Sequence, residues 1–353
     1  YLMISKNNRR EPKNQVGLTG VPFWGMNVEK LAPGDQAFIN DQVFGYPLES
    51  ISEIPAGEYY IQGFINVYTE FKRSDGHTLW MHKDNWEGQN WRRGEGNLFS
   101  NVKKVYLDPS KSEIIKLICN NSNPAVEIPD DSKMVKRVRI KSKLLSDFWG
   151  QPMYLGATVL LPDGYDENPD EFYPVNYQHG HFSLGVPFGF RDPDAPSASS
   201  RRSNQEFTDF WMSDDCPPLI AIKILHPCPY YDDSYAVNSP NVGPYDDAIA
   251  QELIPLLEEK FRIISQPYAR ILSGGSTGGW IALAQQIFHP DFYGGVFSLC
   301  ADPVDFHYYQ IVDIYKDKNA YYRENEWFRV ERPNTRSTDG NIRTTMANEN
   351  LYE

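Results

Sequence analysis

Several features that would point directly to a function are missing from this chain. No run of eighteen apolar residues occurs in its 353 residues, and the longest apolar stretches, such as Leu219 to Leu225, are strand-length, so no membrane span is expected. Basic residues are outnumbered, 34 Lys and Arg against 47 Asp and Glu, for a formal net charge of −13. A surface of that sign repels phosphate backbones and no Lys/Arg stripe stands against it, so nucleic acid is not an expected partner. Only four cysteines are present, Cys119, Cys216, Cys228 and Cys300, with no CxxC spacing. That argues against a zinc site or a thioredoxin-type motif and leaves them as small buried hydrophobes. Asp192, Asp194, Asp232 and Asp233 follow no loop with calcium-ligand periodicity, so neither a metal nor a cofactor is expected. Internal repeats and low-complexity tracts are absent too.

The chain begins at Tyr1, inside a strand-like run, and stops at Glu353 with no terminating pattern. A removed secretory signal would explain the first end and a cut would serve equally; the expectation drawn is a secreted, periplasmic or cell-surface protein.

What is present suggests two domains, and 41% hydrophobic residues suffice to give each a core. From Val16 to about Ile128 short strand-like runs alternate with Pro, Gly and Asp clusters, and helical periodicity is missing. The clearest strand is Glu58 to Thr69, with Tyr59, Ile61, Ile65 and Val67 on one face. Ala37 to Val43, Val102 to Leu107 and Glu113 to Cys119 are the others, and strands of this length suggest a sandwich-like all-β domain over residues 1–128. The polar, turn-rich segment from Cys119 to Lys133 marks the boundary. After it, Met134 to Leu144 has the pattern of an exposed edge strand. Strands then alternate with helices: Tyr154 to Leu161, Tyr173 to Tyr177, Leu219 to Leu225, a helix from Asp246 to Arg262, Ala269 to Leu272, a helix from Thr277 to Phe288, and Gly294 to Cys300. This order predicts an α/β domain over 129–353, a mostly parallel sheet covered by helices. Pro255 should bend the Asp246 helix.

The sharpest motif is Leu272-Ser273-Gly274-Gly275-Ser276-Thr277-Gly278-Gly279-Trp280, a G-x-S-x-G pattern with an apolar strand before it and an apolar helix after it. At such a corner the central residue holds strained backbone, so its neighbours must be nearly free of side chain. The serine hydroxyl then faces the cleft at the carboxyl ends of the strands, and the helix start offers N–H groups to an oxyanion. The competing readings are a phosphate loop, which lacks its Gly-Lys-Ser/Thr here, and a plain tight turn. Upstream, Tyr173 to Tyr177 runs into Gln178-His179-Gly180-His181-Phe182, a strand-end turn of the kind that donates a second oxyanion N–H. His181 N–H, or Phe182 N–H, would pair with Thr277 N–H; His179 itself is expected to brace the loop.

Glu252-Leu253-Ile254-Pro255, the glycine-flanked serine, His289-Pro290-Asp291-Phe292 and Val296-Phe297-Ser298-Leu299 together resemble the esterase branch of the α/β-hydrolase fold, similar to enterochelin and feruloyl esterases. The likeness covers roughly Met134 to Asp305, and the N-terminal β module resembles the immunoglobulin-like domain that often precedes such catalytic domains. It implies hydrolysis through an acyl-serine at Ser276, with an acid after a later strand and a histidine near the domain's end. Beyond the motif only His289 and His307 occur: His289 is expected to be structural, His307 is a candidate base and Asp302 a candidate acid. The larger expectation is that both partners lie beyond Glu353.

The long excursion from Phe182 to Pro218, with Phe188, Phe190, Arg191, Phe210 and Trp211, is expected to line or cover the cleft, as are Tyr230, Tyr231 and Asp232 after the next strand. Trp80, Trp86 and Trp91 are either sugar-stacking platforms or core. Three functions therefore compete: a serine esterase acting on a small-molecule or polysaccharide-linked ester; a non-catalytic binding or structural protein built on a degenerate hydrolase domain; and a carbohydrate esterase whose β module binds glycan. Oligomeric state is not indicated.

Overall fold

A computed structural model of the chain describes residues 1–88, 90–111, 113–181, 183–194, 204–229 and 233–352. They divide into two units, Tyr1–Val67 with Trp91–Ala125 and Asp305–Glu353, and Tyr68–Asn90 with Val126–Val304. This differs from a single cut at residue 128, because side chains on both sides of that cut cross it. Phe71 is fully buried in the core of the second unit, its ring 5.3 Å from that of Trp149. Tyr352, at the far end of the chain, packs 6.0 Å from Phe23 and 5.9 Å from Tyr46 in the first unit.

In the first unit, Leu2–Ser5 lies between Phe23–Trp24 and Gly57–Ile65, and every pairing in its seven-stranded sheet is antiparallel. The strand period of two sends neighbours to opposite faces: Met3 and Phe23 join one apolar cluster, Ile4 and Trp24 another. Two of the expected strands are absent as ladders. Ala37–Val43 and Glu113–Cys119 contribute Ile39, Val43, Ile115 and Leu117 as partly buried cover on the second cluster, from irregular backbone. Their alternating apolar residues report burial rather than strand pairing, and a sheet covered this way takes the place of the expected sandwich of paired sheets.

The second unit holds the α/β part. Its strands are β1 (Val135–Ser142), β2 (Met153–Leu160), β3 (Val175–His179), β4 (Ile220–Leu225), β5 (Arg270–Gly275) and β6 (Gly295–Leu299), in the order β1-β2-β4-β3-β5-β6. The pairs from β4 to β6 are parallel and the two involving β2 antiparallel. Central β4 reads Ile-Ala-Ile-Lys-Ile-Leu and is buried on both faces, as a covered parallel strand must be. Edge strand β1 is less covered, with Arg139 and Lys141 exposed.

Helix α1 (Lys143–Trp149) takes Lys143 and Leu144 out of the edge strand that the pattern predicts over Met134 to Leu144. Ser142 caps it by accepting from Leu145 N–H, Gly150 ends it at φ 66°, and the Glu252 carboxylate accepts from the N–H groups of Lys143 and Leu144. The predicted Asp246 helix runs as α2 (Tyr245–Ala248), a π-helical stretch (Ile249–Leu253) and α3 (Ile254–Lys260). Pro255 is the second residue of α3, at a helix start where the missing N–H is best tolerated, just beyond the π-helical irregularity. Helix α4 spans Thr277–Phe288, as the periodicity predicts.

Because Phe71 belongs to the second core, Phe71→Ala should cost about 3–5 kcal/mol of unfolding free energy. Urea denaturation measures it; a cost below about 1 kcal/mol, the value for a surface position, would mean the 68–90 segment is only loosely attached.

Candidate functional site

The site grows from the crossing of three backbones in the second unit. A Cβ added to Gly274 at the end of β5 would lie 2.1 Å from the carbonyl oxygen of Gly278, and one added to Gly278 would lie 2.2 Å from the carbonyl oxygen of His179, at the end of β3. No side chain fits at either place. Gly275, by contrast, has its nearest neighbour at 3.8 Å, so not every glycine in the motif is required by space. Between these contacts Ser276 adopts φ 55° and ψ −125°, a conformation that costs a non-glycine residue about 1–3 kcal/mol. It is held there by its own N–H, which donates to Leu299 O at 2.9 Å, and by its carbonyl, which accepts from Asp302 N–H at 3.3 Å. Ser276 is exposed, whereas Thr277, which opens α4, is buried.

Around this corner lies a continuous polar chain. The Ser276 hydroxyl donates to Asp302 Oδ1 at 3.2 Å, and the Thr277 hydroxyl donates to Asp302 Oδ2 at 2.9 Å. Tyr235 OH also donates to Oδ2, at 3.2 Å. Thr277 Oγ1 is 3.3 Å from His181 Nε2, and His181 Nδ1 is 2.9 Å from Asp233 Oδ2. The other Asp233 oxygen accepts from Tyr235 N–H at 2.8 Å and lies 3.7 Å from His226 Nδ1, which in turn contacts Ser234 Oγ at 2.9 Å. The loop that carries Asp233 and Tyr235 is fixed to α4, for Gln285 donates to Ala236 O at 2.7 Å and the Tyr235 ring stands edge-on to Trp280.

The charges here are strongly shaped by burial. His179 is held down to about 3, chiefly by desolvation and further by neighbouring His226, with the Asp233 charge opposing. Burial also lowers His226, again against the pull of Asp233. Burial alone would push the Asp233 carboxyl up, but the His181 hydrogen bond, the nearby His226 and the Tyr235 N–H outweigh it and keep it below the ordinary range. Asp233 is therefore an ionised carboxylate beside two imidazoles, one of them fully buried.

The remaining predicted residues fall as follows. Asp302 meets Ser276 directly. His307 lies in the first unit, exposed, its Nδ1 2.8 Å from Asp305 Oδ1. His289 Nε2 sits 2.8 and 2.9 Å from the two oxygens of Asp246, a bracing contact at the far end of α4. Trp211, expected in the pocket, is core instead: it is buried with Phe190, Leu160 and Ala221, and its indole N–H donates to Leu161 O at 3.0 Å. Because Leu160 pairs with Ala221 at the start of β4, that contact lies at the opposite end of the sheet from Gly275. Phe182, Tyr230, Tyr231 and Asp232 lie outside the described residues. Trp80 is exposed and Trp86 buried beside Leu225, both in the second unit, while Trp91 stacks on Tyr1 in the first. Asp192 is taken up by the Ser132 hydroxyl and Asp194 N–H, and among the described residues no group of three His, Cys, Asp or Glu side chains could hold a metal. Among the same residues no helix is long and apolar enough to cross a membrane. The proximity of the His181 and Asp233 side chains has no counterpart in the sequence, where His181 stands out only through its backbone N–H and Asp233 only among aspartates without calcium-ligand spacing.

Residues 228–350 match the family model described as "Putative esterase". No curated relative matches the chain. Among solved structures, a ferulic acid esterase is 22% identical over 48% of this chain and 59% of its own, with a TM-score of 0.36. A CE1 ferulic acid esterase from the anaerobic fungus Anaeromyces mucronatus is 21% identical over 50% of this chain and 63% of its own, TM-score 0.32. A fluorophosphonate-binding serine hydrolase of Staphylococcus aureus is 15% identical over 51% and 61%, TM-score 0.33. The chain thus spans less than two thirds of each. The esterase-family likeness read from the sequence is matched by the family model, over a stretch that starts later and ends later than the motifs suggested.

The buried imidazoles give stability a sign with pH. A histidine whose folded value lies near 3 contributes stability fully present above about 6.5, its ordinary value, and lost progressively as pH falls toward 3, because the unfolded chain takes up the proton first. His226 acts in the same direction. Urea midpoints should fall between pH 7.5 and 5, each such histidine adding a slope of up to about 1.4 kcal/mol per pH unit. His179→Gln, which cannot protonate, should flatten that slope; an unchanged slope would mean the ring is already charged or hydrated.

Proposed function

We propose that this protein is a serine hydrolase of carboxylic esters, with Ser276 as nucleophile. The observation that carries the reading is the exposed Ser276 hydroxyl at φ 55°, on the corner where a buried parallel strand turns into the helix behind it. The strain has a use only if the hydroxyl is to be presented, since a plain turn would relax to glycine or to ordinary backbone. In this reading β1 to β6 form an α/β-hydrolase-type sheet with the site at the carboxyl ends of its parallel strands. Ser276 Oγ attacks the ester carbonyl, and the N–H groups of Thr277 and His181 hold the oxyanion. The first-turn N–H of a helix has no partner within the helix and lies in the positive field of its dipole, so it suits that task. Each donor contributes about 3 kcal/mol of transition-state stabilisation. Asp302 orients the Ser276 and Thr277 hydroxyls through its two oxygens. Loss of the alcohol leaves an acyl-serine, which water hydrolyses. The substrate is a small-molecule or polysaccharide-linked ester.

A second reading has one observation in its favour: the hydroxyl of Ser276 donates to a carboxylate rather than to an imidazole. A hydrolase scaffold kept for binding would tolerate that arrangement. A fluorophosphonate probe separates the two. Covalent labelling located at Ser276 by peptide mapping and abolished in Ser276→Ala is the expected result. An unlabelled wild-type protein with a normal thermal transition would favour the scaffold.

A further inference from the structure

We propose that Lys83 and Arg139, beside the carboxyl end of β4, form a subsite for a carboxylate group carried by the substrate, so that this protein takes acidic esters. The proposal rests on the serine-hydrolase reading and deepens it by naming the substrate class. The subsite starts from a gap in β2. Arg139 on β1 pairs with Gly156 on β2, and Tyr154 lies two residues before that glycine, so all three belong to one face of the sheet. Gly156 leaves that face bare, and Trp86 fills the space: a Cβ on Gly156 would lie 2.7 Å from Trp86 Cη2. Trp86 arrives at φ 80°, a left-handed conformation that a bulky residue rarely takes. Its loop is tied by its own carboxylates, Asp84 Oδ1 accepting from Trp86 N–H at 2.8 Å and Glu87 Oε2 from Asn85 N–H at 2.7 Å.

The Arg139 guanidinium lies 4.1 Å from the Tyr154 ring centre and 5.1 Å from that of Trp86. The rings hold the cation in place but leave its N–H fork without an oxygen acceptor. Lys83, on the same cleft, donates from Nζ to the neutral Gln151 Oε1 at 3.2 Å. Among the described residues neither cation has a carboxylate within ion-pair reach. Burial first, and the Arg139 charge second, hold the Lys83 ammonium below its ordinary value. Two like charges kept side by side repel, and an anion between them reverses the sign. The cleft they share with Pro227 and Pro229 measures about 30 Å³, room for a small anionic head group rather than a whole ligand. A planar guanidinium fork matches a carboxylate through two parallel bonds. Asp84 also lines the cleft, and its charge disfavours a dianion such as phosphate against a monoanionic carboxylate.

The cleft opens on the same end of the sheet as Ser276. Leu225, the last residue of β4, clusters with Trp86, and Leu184 of the loop that carries His181 packs against that cluster. Pro227 and Pro229 begin the loop that leads to Asp233. In the order β2-β4-β3-β5 three strand spacings, about 14 Å, separate β2 from the strand that ends at the serine corner. The acidic group therefore belongs to a part of the substrate remote from the ester bond.

Calorimetric titration tests the subsite with two acids and their uncharged counterparts, trigalacturonate against maltotriose and butyrate against butyramide. Wild type, Ser276→Ala, Lys83→Gln, Arg139→Gln and Arg139→Lys are compared, each with its thermal transition recorded. Wild type and Ser276→Ala should bind an acid at least about 10-fold more tightly than its counterpart, an advantage that fades with added salt. Each glutamine variant should lose about 10-fold in affinity for that acid, the range of one charge-assisted hydrogen bond, with the neutral ligand and the thermal transition unaffected. Arg139→Lys, which keeps the charge, should retain part of the advantage. Tighter binding of trigalacturonate than of butyrate supports a sugar acid as the source of the carboxylate, and the reverse order supports a simple acid. Acids that bind wild type no better than their counterparts, glutamine variants that bind like wild type, or inorganic phosphate displacing the acid more strongly than the acid displaces itself would overturn the subsite. Acid binding in a wild-type protein that no fluorophosphonate labels leaves the subsite and removes the serine reading; labelling at Ser276 without acid binding does the reverse.

Discussion

The site depends on the close approach of three backbones, the end of β5, the first turn of α4 and the end of β3. Gly274 faces the carbonyl of Gly278, and Gly278 faces the carbonyl of His179, at distances that leave no room for a methyl group. That contact forces the corner to be sharp. Sharpness in turn puts Ser276 at positive φ and leaves its hydroxyl exposed while its neighbour Thr277 is buried. Hydrogen bonds from the corner to Leu299 and Asp302 tie it to the end of β6, so the strain is carried by the sheet rather than by a loop.

The same constraint organises the electrostatics. With the corner fixed, Asp302 arrives from β6 to take two adjacent hydroxyls. The loop after β4, fastened to α4 through Gln285 and Trp280, delivers Asp233 to His181. Behind that pair His179 and His226 are buried and neutral, and Asp233 beside them keeps its charge through neighbouring groups and the Tyr235 N–H rather than through solvent.

Much of this was legible in the amino-acid order. The helix from Thr277 to Phe288 and the strands around it follow from periodicity, and the G-x-S-x-G pattern locates the corner, because local sterics determine both. The helix at Lys143–Trp149 was obscured by the strand ahead of it, although Ser142 and Gly150 mark its two ends. Apolar alternation at Ala37–Val43 and Glu113–Cys119 misled for a different reason: it records which side chains are covered, and says nothing about whether a ladder partner lies alongside. Trp211 was drawn to the pocket by its place in a long aromatic excursion, whereas its indole N–H finds a carbonyl at the other end of the sheet. The pairing of His181 with Asp233 was beyond sequence reasoning, since residues in separate loops meet only through the β3–β4–β5 order.

The account is tested most directly by a crystal structure of the protein after reaction with a phosphonate ester. It predicts continuous density from Ser276 Oγ to phosphorus, with the phosphonyl oxygen about 3 Å from the N–H of Thr277. Unmodified Ser276 in crystals soaked to saturation, or an adduct on any other side chain, would contradict it.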